Sequence, residues 1–193
     1  MTIQEFIAVI AGIIMVVTMI PYILDTIRGK THPNIVSWFT WTLLTAIGTF
    51  AAFSEGAITT AIFSLAATLS TLMIVILGLR GGVKRYTLFD VMCQGVALLG
   101  IVLWQITQSA ELAVAIVVVT DMIAALPTIR HSWIAPHAET WQTFAYGAFS
   151  AALTLFTITQ FTFTAFAYPV WITFANTIIS TVILYRRRKL AKN

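Results

Sequence analysis

"TMIPYILDTIRGK", residues 18–30, puts a proline inside an apolar helical stretch and closes it with Asp25, Arg28 and Lys30. A proline in a helix interior removes a backbone hydrogen bond and costs roughly 3 kcal/mol in an ordinary helix. Within a bilayer such a defect survives only where protein or a wet cavity satisfies the backbone. The pattern returns in "AALPTIRHSW", residues 124–133, where Pro127 stands 106 positions after Pro21 (127 − 21). Pro21 frees the carbonyl of Val17 and Pro127 that of Ile123, so the pair predicts two equivalent bending points, or hinges.

The surrounding chain suits a membrane. Of its 193 residues, 59% are hydrophobic and 9% charged, which excludes soluble enzymes and nucleic-acid binders. Seven apolar stretches, near 4–27, 35–54, 58–79, 86–107, 112–132, 140–161 and 165–186, are each long enough for the roughly 30 Å hydrocarbon core. The breaks between them, "RGKTHPN" and "RGGVKR" among them, are short and rich in turn residues or charge. All eleven Lys and Arg residues fall in alternate connections and the C-terminal tail. The positive-inside rule then predicts an N-terminus outside and a C-terminus in the cytoplasm, with "RRRK" at 186–189 as a topology anchor. "MTIQEF" lacks a basic n-region, so the first apolar segment is expected to remain in the mature protein. A lone cysteine, Cys93, offers neither a disulfide nor a metal framework. His32, His131 and His137 fall in cytoplasmic connections, so neither a metal site nor a cofactor is expected.

A 106-residue shift also aligns Arg80 with Arg186 (186 − 80). With a loop three residues shorter in the second copy, Pro33 meets Pro136, Ser37 meets Thr140 and Trp38 meets Trp141. Two blocks of three helices follow. Three is odd, so a second block of the same orientation needs one extra crossing, which the fourth segment supplies. The expected fold is an all-α integral membrane protein of seven transmembrane helices in a parallel 3+1+3 repeat. Residues 1–83 form the first three-helix bundle, 84–109 the linker helix, and 110–193 the second bundle with its basic tail.

This plan, the proline in the first helix of each block, and "ITFANTIISTVILYRRRK" at 172–189 resemble the SWEET, SemiSWEET and PQ-loop superfamily of small membrane transporters. The family's Pro-Gln is Pro21-Tyr22 and Pro127-Thr128 here, and Ala52 stands where sugar-transporting members carry a Trp. The resemblance implies alternating access and assigns Asn176 as the substrate-contacting asparagine. Ser70 aligns with it in the first block.

Helical rise places Asn176 and Ser70 near the bilayer middle. Thr173, Thr177 and Ser180 extend a polar stripe from Asn176, and Thr60, Ser64, Thr68 and Thr71 draw another on the third helix. Ser37, Trp41, Thr45 and Thr49 mark the second helix; Thr143, Tyr146, Ser150, Thr154 and Thr157 mark the sixth. Single hydroxyls in membrane helices usually serve packing, but four stripes predict a shared polar cavity. Trp41 and Trp171 are candidates to stack on a solute. Asp121 lies about 15 Å into its helix, where an ionised carboxylate costs several kcal/mol unless paired, wet or protonated. That suits proton coupling, with helix packing as the competing reading. Asp25 and Asp90 are expected to pair with nearby Arg28, Lys84 and Arg85, and Asp90 with Gln94 one turn on.

The expected function is a carrier for a small polar solute (sugar, amino acid or vitamin-like) in a bacterial inner membrane. Its partners are lipid and solute, without nucleic acid, and the oligomeric state stays open. A receptor or assembly factor of the same fold is the alternative. An enzyme is disfavoured because no nucleophile with a neighbouring base assembles at depth. A retinal-type light sensor needs a lysine in the last helix, and residues 165–185 have none.

Overall fold

The computed structural model describes residues 2–54, 56, 58–82 and 86–192, with the side chains at 54, 58–60, 104 and 105 outside that description. The stripe residue Thr60, by its side chain, and Lys84 and Arg85 therefore lie outside the described residues. The elements are α1 (Ile3–Val17), α2 (Met19–Ile27), α3 (Ile35–Ser54), α4 (Ile58–Gly81), α5 (Leu88–Ile106), α6 (Ala110–Ile134), α7 (Trp141–Leu155) and α8 (Phe163–Leu190). A short 3-10 turn, Pro136–Ala138, precedes α7.

Each apolar stretch read from the sequence is helical, with two differences. In the first the regular bonding pattern lapses at Thr18, which keeps helical angles (φ −62°, ψ −21°) and whose hydroxyl donates to the carbonyl of Met15 (2.8 Å); α2 then carries Pro21. α6, by contrast, runs unbroken through Pro127. The second difference is α7, which stops at Leu155 instead of reaching 161. There the Thr154 hydroxyl donates to Ala151 and the Thr157 hydroxyl to Thr154, and backbone bonds tighten to i→i−3 turns. Hydroxyls that compete for backbone carbonyls favour such an ending.

Caps set other boundaries. Thr2 and Glu5 close a capping box on α1, and at α5 the Thr87 hydroxyl and Asp90 carboxylate exchange bonds with each other's backbone N–H. Gly29, with φ +68°, takes the left-handed turn that ends α2.

α4 packs against α3 and against α1 and α2; α8 packs against α7 and α6. With α1–α4 and α6–α8 taken as two halves for description, α4 sits between α3 and the α1–α2 stretch and α8 between α6 and α7, and those flanking backbones do not approach one another among the described residues. Between halves, α1 and α2 meet α7, and α3 meets α6. α5 lies against α6 and α3.

The interior is built of small residues and hydroxyls: Ala11, Ala61, Ala97, Ala124, Ala125, Ser37, Thr40 and Thr128 are buried. Large apolar side chains such as Phe50, Leu79, Leu88, Leu99, Val102 and Ile106 face outward. That inversion of the soluble pattern suits a lipid surroundings and close helix approach. Five helical spans are long and apolar enough to cross a membrane: Ile3–Ile27, Ile35–Phe53, Ala61–Gly81, Ala110–Ile134 and Phe163–Leu190. Leu88–Leu103 is a shorter apolar helix. The described elements are all helical, with five spans whose length and composition suit a membrane.

Candidate functional site

Where the halves meet, α1 to α4 and α6 to α8 enclose a cavity of about 80 Å³. α1 and α2 contribute Met15 and Met19; α3 gives Trp38, Trp41 and Thr45; α4 gives Ala67 and Thr71. From the other half come Asp121 on α6, Thr143, Phe144 and Gly147 on α7, and Tyr168, Ile172 and Asn176 on α8.

Asp121 is 3% exposed. Its Oδ2 accepts the indole N–H of Trp171 at 2.6 Å, and Trp41 presents its indole to the same carboxyl. The phenol of Tyr168 also lies close enough to interact with it electrostatically. The lining contains no Lys, Arg or His. Asn176 makes no hydrogen bond to a described residue, so its amide is available to the cavity. Gly147 leaves that room: a methyl there would stand 3.4 Å from Asn176 Nδ2.

The hydroxyl stripes divide more sharply than their spacing implies. Thr45 donates to the carbonyls of Trp41 and Thr42, Thr71 to that of Thr68, and Thr143 to that of Thr18 on the other half (2.8 Å). Thr49 bonds Ser64 and Thr68, making a polar seam between α3 and α4. Ser150 donates to the carbonyl of Ala11 at 2.7 Å, which ties α7 to α1. Thr173, Thr177 and Ser180 each donate within α8. Much of the predicted polar lining is helix adhesive.

Of the candidate solute contacts, Asn176 and Trp41 are on the wall. Trp171 stands behind Asp121 and holds it. Ser70 and Thr173 are off the wall, their hydroxyls donating to Ala66 and Pro169, and α4 offers Ala67 and Thr71 instead. Pro127 is buried, and Pro21 is partly buried beside the lapse at Thr18.

At the end of the bundle where the basic residues gather, the halves are bonded to each other. Trp38 donates its indole N–H to the Tyr22 hydroxyl (3.0 Å), which donates to Glu139 Oε2 (2.7 Å). Glu139 Oε1 is 2.8 Å from His131 Nδ1. Arg187 Nη2 donates to the Glu139 carbonyl at 2.6 Å. The hydroxyls of Thr31 and Thr140 are 2.6 Å apart, and Thr140 also donates to Asp25 Oδ2 at 3.0 Å. Glu139 and Tyr22 are fully buried, with ring contacts among Tyr22, Trp38 and Phe144 completing an aromatic layer. A second cavity of about 490 Å³, lined by Asp25, Lys30, His137, Glu139 and Arg187, lies at this end.

The expected pairings of Asp90 with Lys84 and Arg85 lie outside the described residues, while those of Asp90 with Gln94 and of Asp25 with Arg28 differ. Asp90 is buried and accepts from Thr87 and Asn34, while Gln94 accepts from Thr40 instead of pairing with Asp90. Asp25 takes its bond from Thr140. Burial explains the first difference: an enclosed carboxylate needs fixed donors, which neighbouring hydroxyls and amides supply at short range, whereas Asp25 is half-buried on the wall of the second cavity. Glu139 and Tyr22 were missed because the break "WIAPHAE" reads as a solvated turn. The available signal was scarcity, since the whole chain has seven acidic residues.

No family model, curated protein or solved structure matches this chain.

Proposed function

We propose that this protein is a carrier of the SWEET and PQ-loop type, moving a small solute by alternating access. Its layout would be two parallel three-helix bundles, α1–α4 and α6–α8, joined by α5. The N-terminus lies outside and the basic C-terminus in the cytoplasm. The observation that carries this reading is one cavity whose wall is drawn from both halves, next to an end where hydrogen bonds between halves hold the structure shut. A site between two bodies can face either side in turn when those bodies rock. Pro21 with the lapse at Thr18, and Pro127, are the bending points; Asn176 and Trp41 contact solute. Asp121 carries the coupling proton. The bacterial inner membrane is the proposed location.

A receptor of the same architecture is favoured by one feature: the Tyr22, Glu139 and His131 closure is fully buried at its centre, as expected of a fixed floor. Uptake into proteoliposomes separates the two. A screen of sugars, amino acids, vitamin-like solutes and amines, with and without a pH gradient, is expected to find saturable flux that Asn176→Ala loses. Saturable binding with no flux for any solute would assign the receptor.

A further inference from the structure

The chemistry of the cavity wall is lopsided in a way that names its occupant. Four aromatic rings, Trp38, Trp41, Phe144 and Tyr168, and the thioethers of Met15 and Met19 surround it. Its one carboxylate, Asp121, is almost wholly removed from water. The Trp171 indole N–H steadies that carboxyl but brings no charge. An ionised, uncompensated carboxylate at this depth costs several kcal/mol, so something positive must accompany it.

Among the described residues, neighbouring elements supply no cation to the wall. From α8 the titratable group facing Asp121 is Tyr168. The wall residues of α1, α2, α3, α4 and α7 include no titratable side chain. α5, packed on α6, carries Asp90, held by Thr87 and Asn34, and Cys93. The compensating charge therefore comes as a proton or as the ligand.

Hydrogen-bonding capacity points the same way. Thr45, Thr71 and Thr143 spend their protons on backbone carbonyls, so towards the cavity they offer lone pairs. A sugar needs donors and acceptors in a wide site. The volume of about 80 Å³ is well under the roughly 300–1,000 Å³ of drug-sized ligand sites. Aromatic faces around a small space attract ammonium groups.

Resting on the carrier reading above, we propose that the solute is a small monovalent organic cation, an alkylammonium or quaternary ammonium, which binds Asp121 within the aromatic wall. Proton and cation exclude each other at that one carboxylate. Binding releases the Asp121 proton to the side then open, and rebinding of a proton on the other side expels the cation, so the cycle exchanges one for the other. Asn176 supplies orientation, its carbonyl oxygen accepting from an N–H or O–H of the ligand.

The test uses the full-length protein with tetramethylammonium, choline and the neutral carbon isostere of choline, in which tert-butyl replaces the trimethylammonium head. Titration in weakly buffered detergent solution, on the acid side where apparent affinity depends on pH and Asp121 starts protonated, is expected to release one proton per bound choline. Apparent Kd should rise tenfold per pH unit on the acid side, as competition with a single proton requires. The neutral isostere should bind at least tenfold more weakly and release none. Proteoliposomes loaded with a pH dye should turn alkaline inside when choline is added outside. Asp121→Asn should lose both signals while Asp121→Glu keeps proton release. The wild-type comparison of choline with its isostere stands even where a variant fails to fold. Equal binding of choline and isostere, or choline binding without proton release, overturns the inference. So does absence of binding by both cations when the uptake screen finds a neutral solute that moves; in that case the carrier reading survives. If no solute in the screen moves, both fall.

Discussion

The two halves of the molecule share a packing order and differ in chemistry. In each, the last helix lies between the other two, yet the helical bonding pattern lapses at Thr18 ahead of Pro21 while it continues through Pro127. Positions 106 residues apart contrast: Met15 with Asp121, Tyr22 with Thr128, Ser70 with Asn176. The second half owns the buried carboxylate and the free amide of the cavity, and the first supplies the Tyr22 hydroxyl that reaches across to Glu139. Backbone packing tolerates wide changes of side chain if volume and polarity are respected. The packing order is shared and the chemistry of the site is not.

That contrast can be broken by substitution. Glu139→Ala would leave the buried Tyr22 hydroxyl without its acceptor and the partly buried His131 without its carboxylate, and about 3–5 kcal/mol of stability should be lost, read as a lower midpoint of thermal unfolding in detergent. Glu139→Gln should cost clearly less. Next comes a pair at equivalent positions. Tyr22→Phe removes a hydroxyl bonded to Glu139 and Trp38 and should cost about 1–3 kcal/mol. Thr128→Val removes a buried hydroxyl without a partner among the described residues, so stability should be unchanged or higher. Equal losses at the two positions would contradict the asymmetry.

For ligand binding, Asn176→Ala should weaken apparent affinity about tenfold, near 1.4 kcal/mol, while Ser70→Ala should leave it unchanged. Isothermal titration of both variants with whichever solute the screen identifies decides between one-sided and two-sided recognition. The smallest expected difference is between two threonines. Thr143→Val, which frees the Thr18 carbonyl in the other half, should cost about 1 kcal/mol. Thr177→Val, at an exposed hydroxyl bonded within its own helix, should cost close to nothing in the same unfolding assay.

Much of the fold could be read from the chain because membrane helices announce themselves by apolar length, and each predicted stretch is helical. The end of α7 was hidden, since apolar content continues past Leu155 and only the local bonds of Thr154 and Thr157 stop the helix. Asp121 and Asn176 were visible as polar residues at depth, where any polarity is costly. Depth does not reveal azimuth: Ser70 sits at a similar level and turns away. The closure at Glu139 was invisible because contacts such as Tyr22 to Glu139 join residues 117 apart. No local period encodes them.

Alternating access itself is tested most directly by accessibility, with no need to know the solute. With Cys93→Ala as background, Asn176→Cys places a thiol on the cavity wall, and a membrane-impermeant maleimide can be offered from either side of oriented vesicles. Labelling is expected from both sides. Adding Thr31→Cys and Thr140→Cys and oxidising them, at the point where the native hydroxyls are 2.6 Å apart, should abolish labelling from the basic end alone and spare the opposite side. Labelling of Asn176→Cys from one side only without the crosslink, or labelling that still comes from both sides after it forms, would contradict the account.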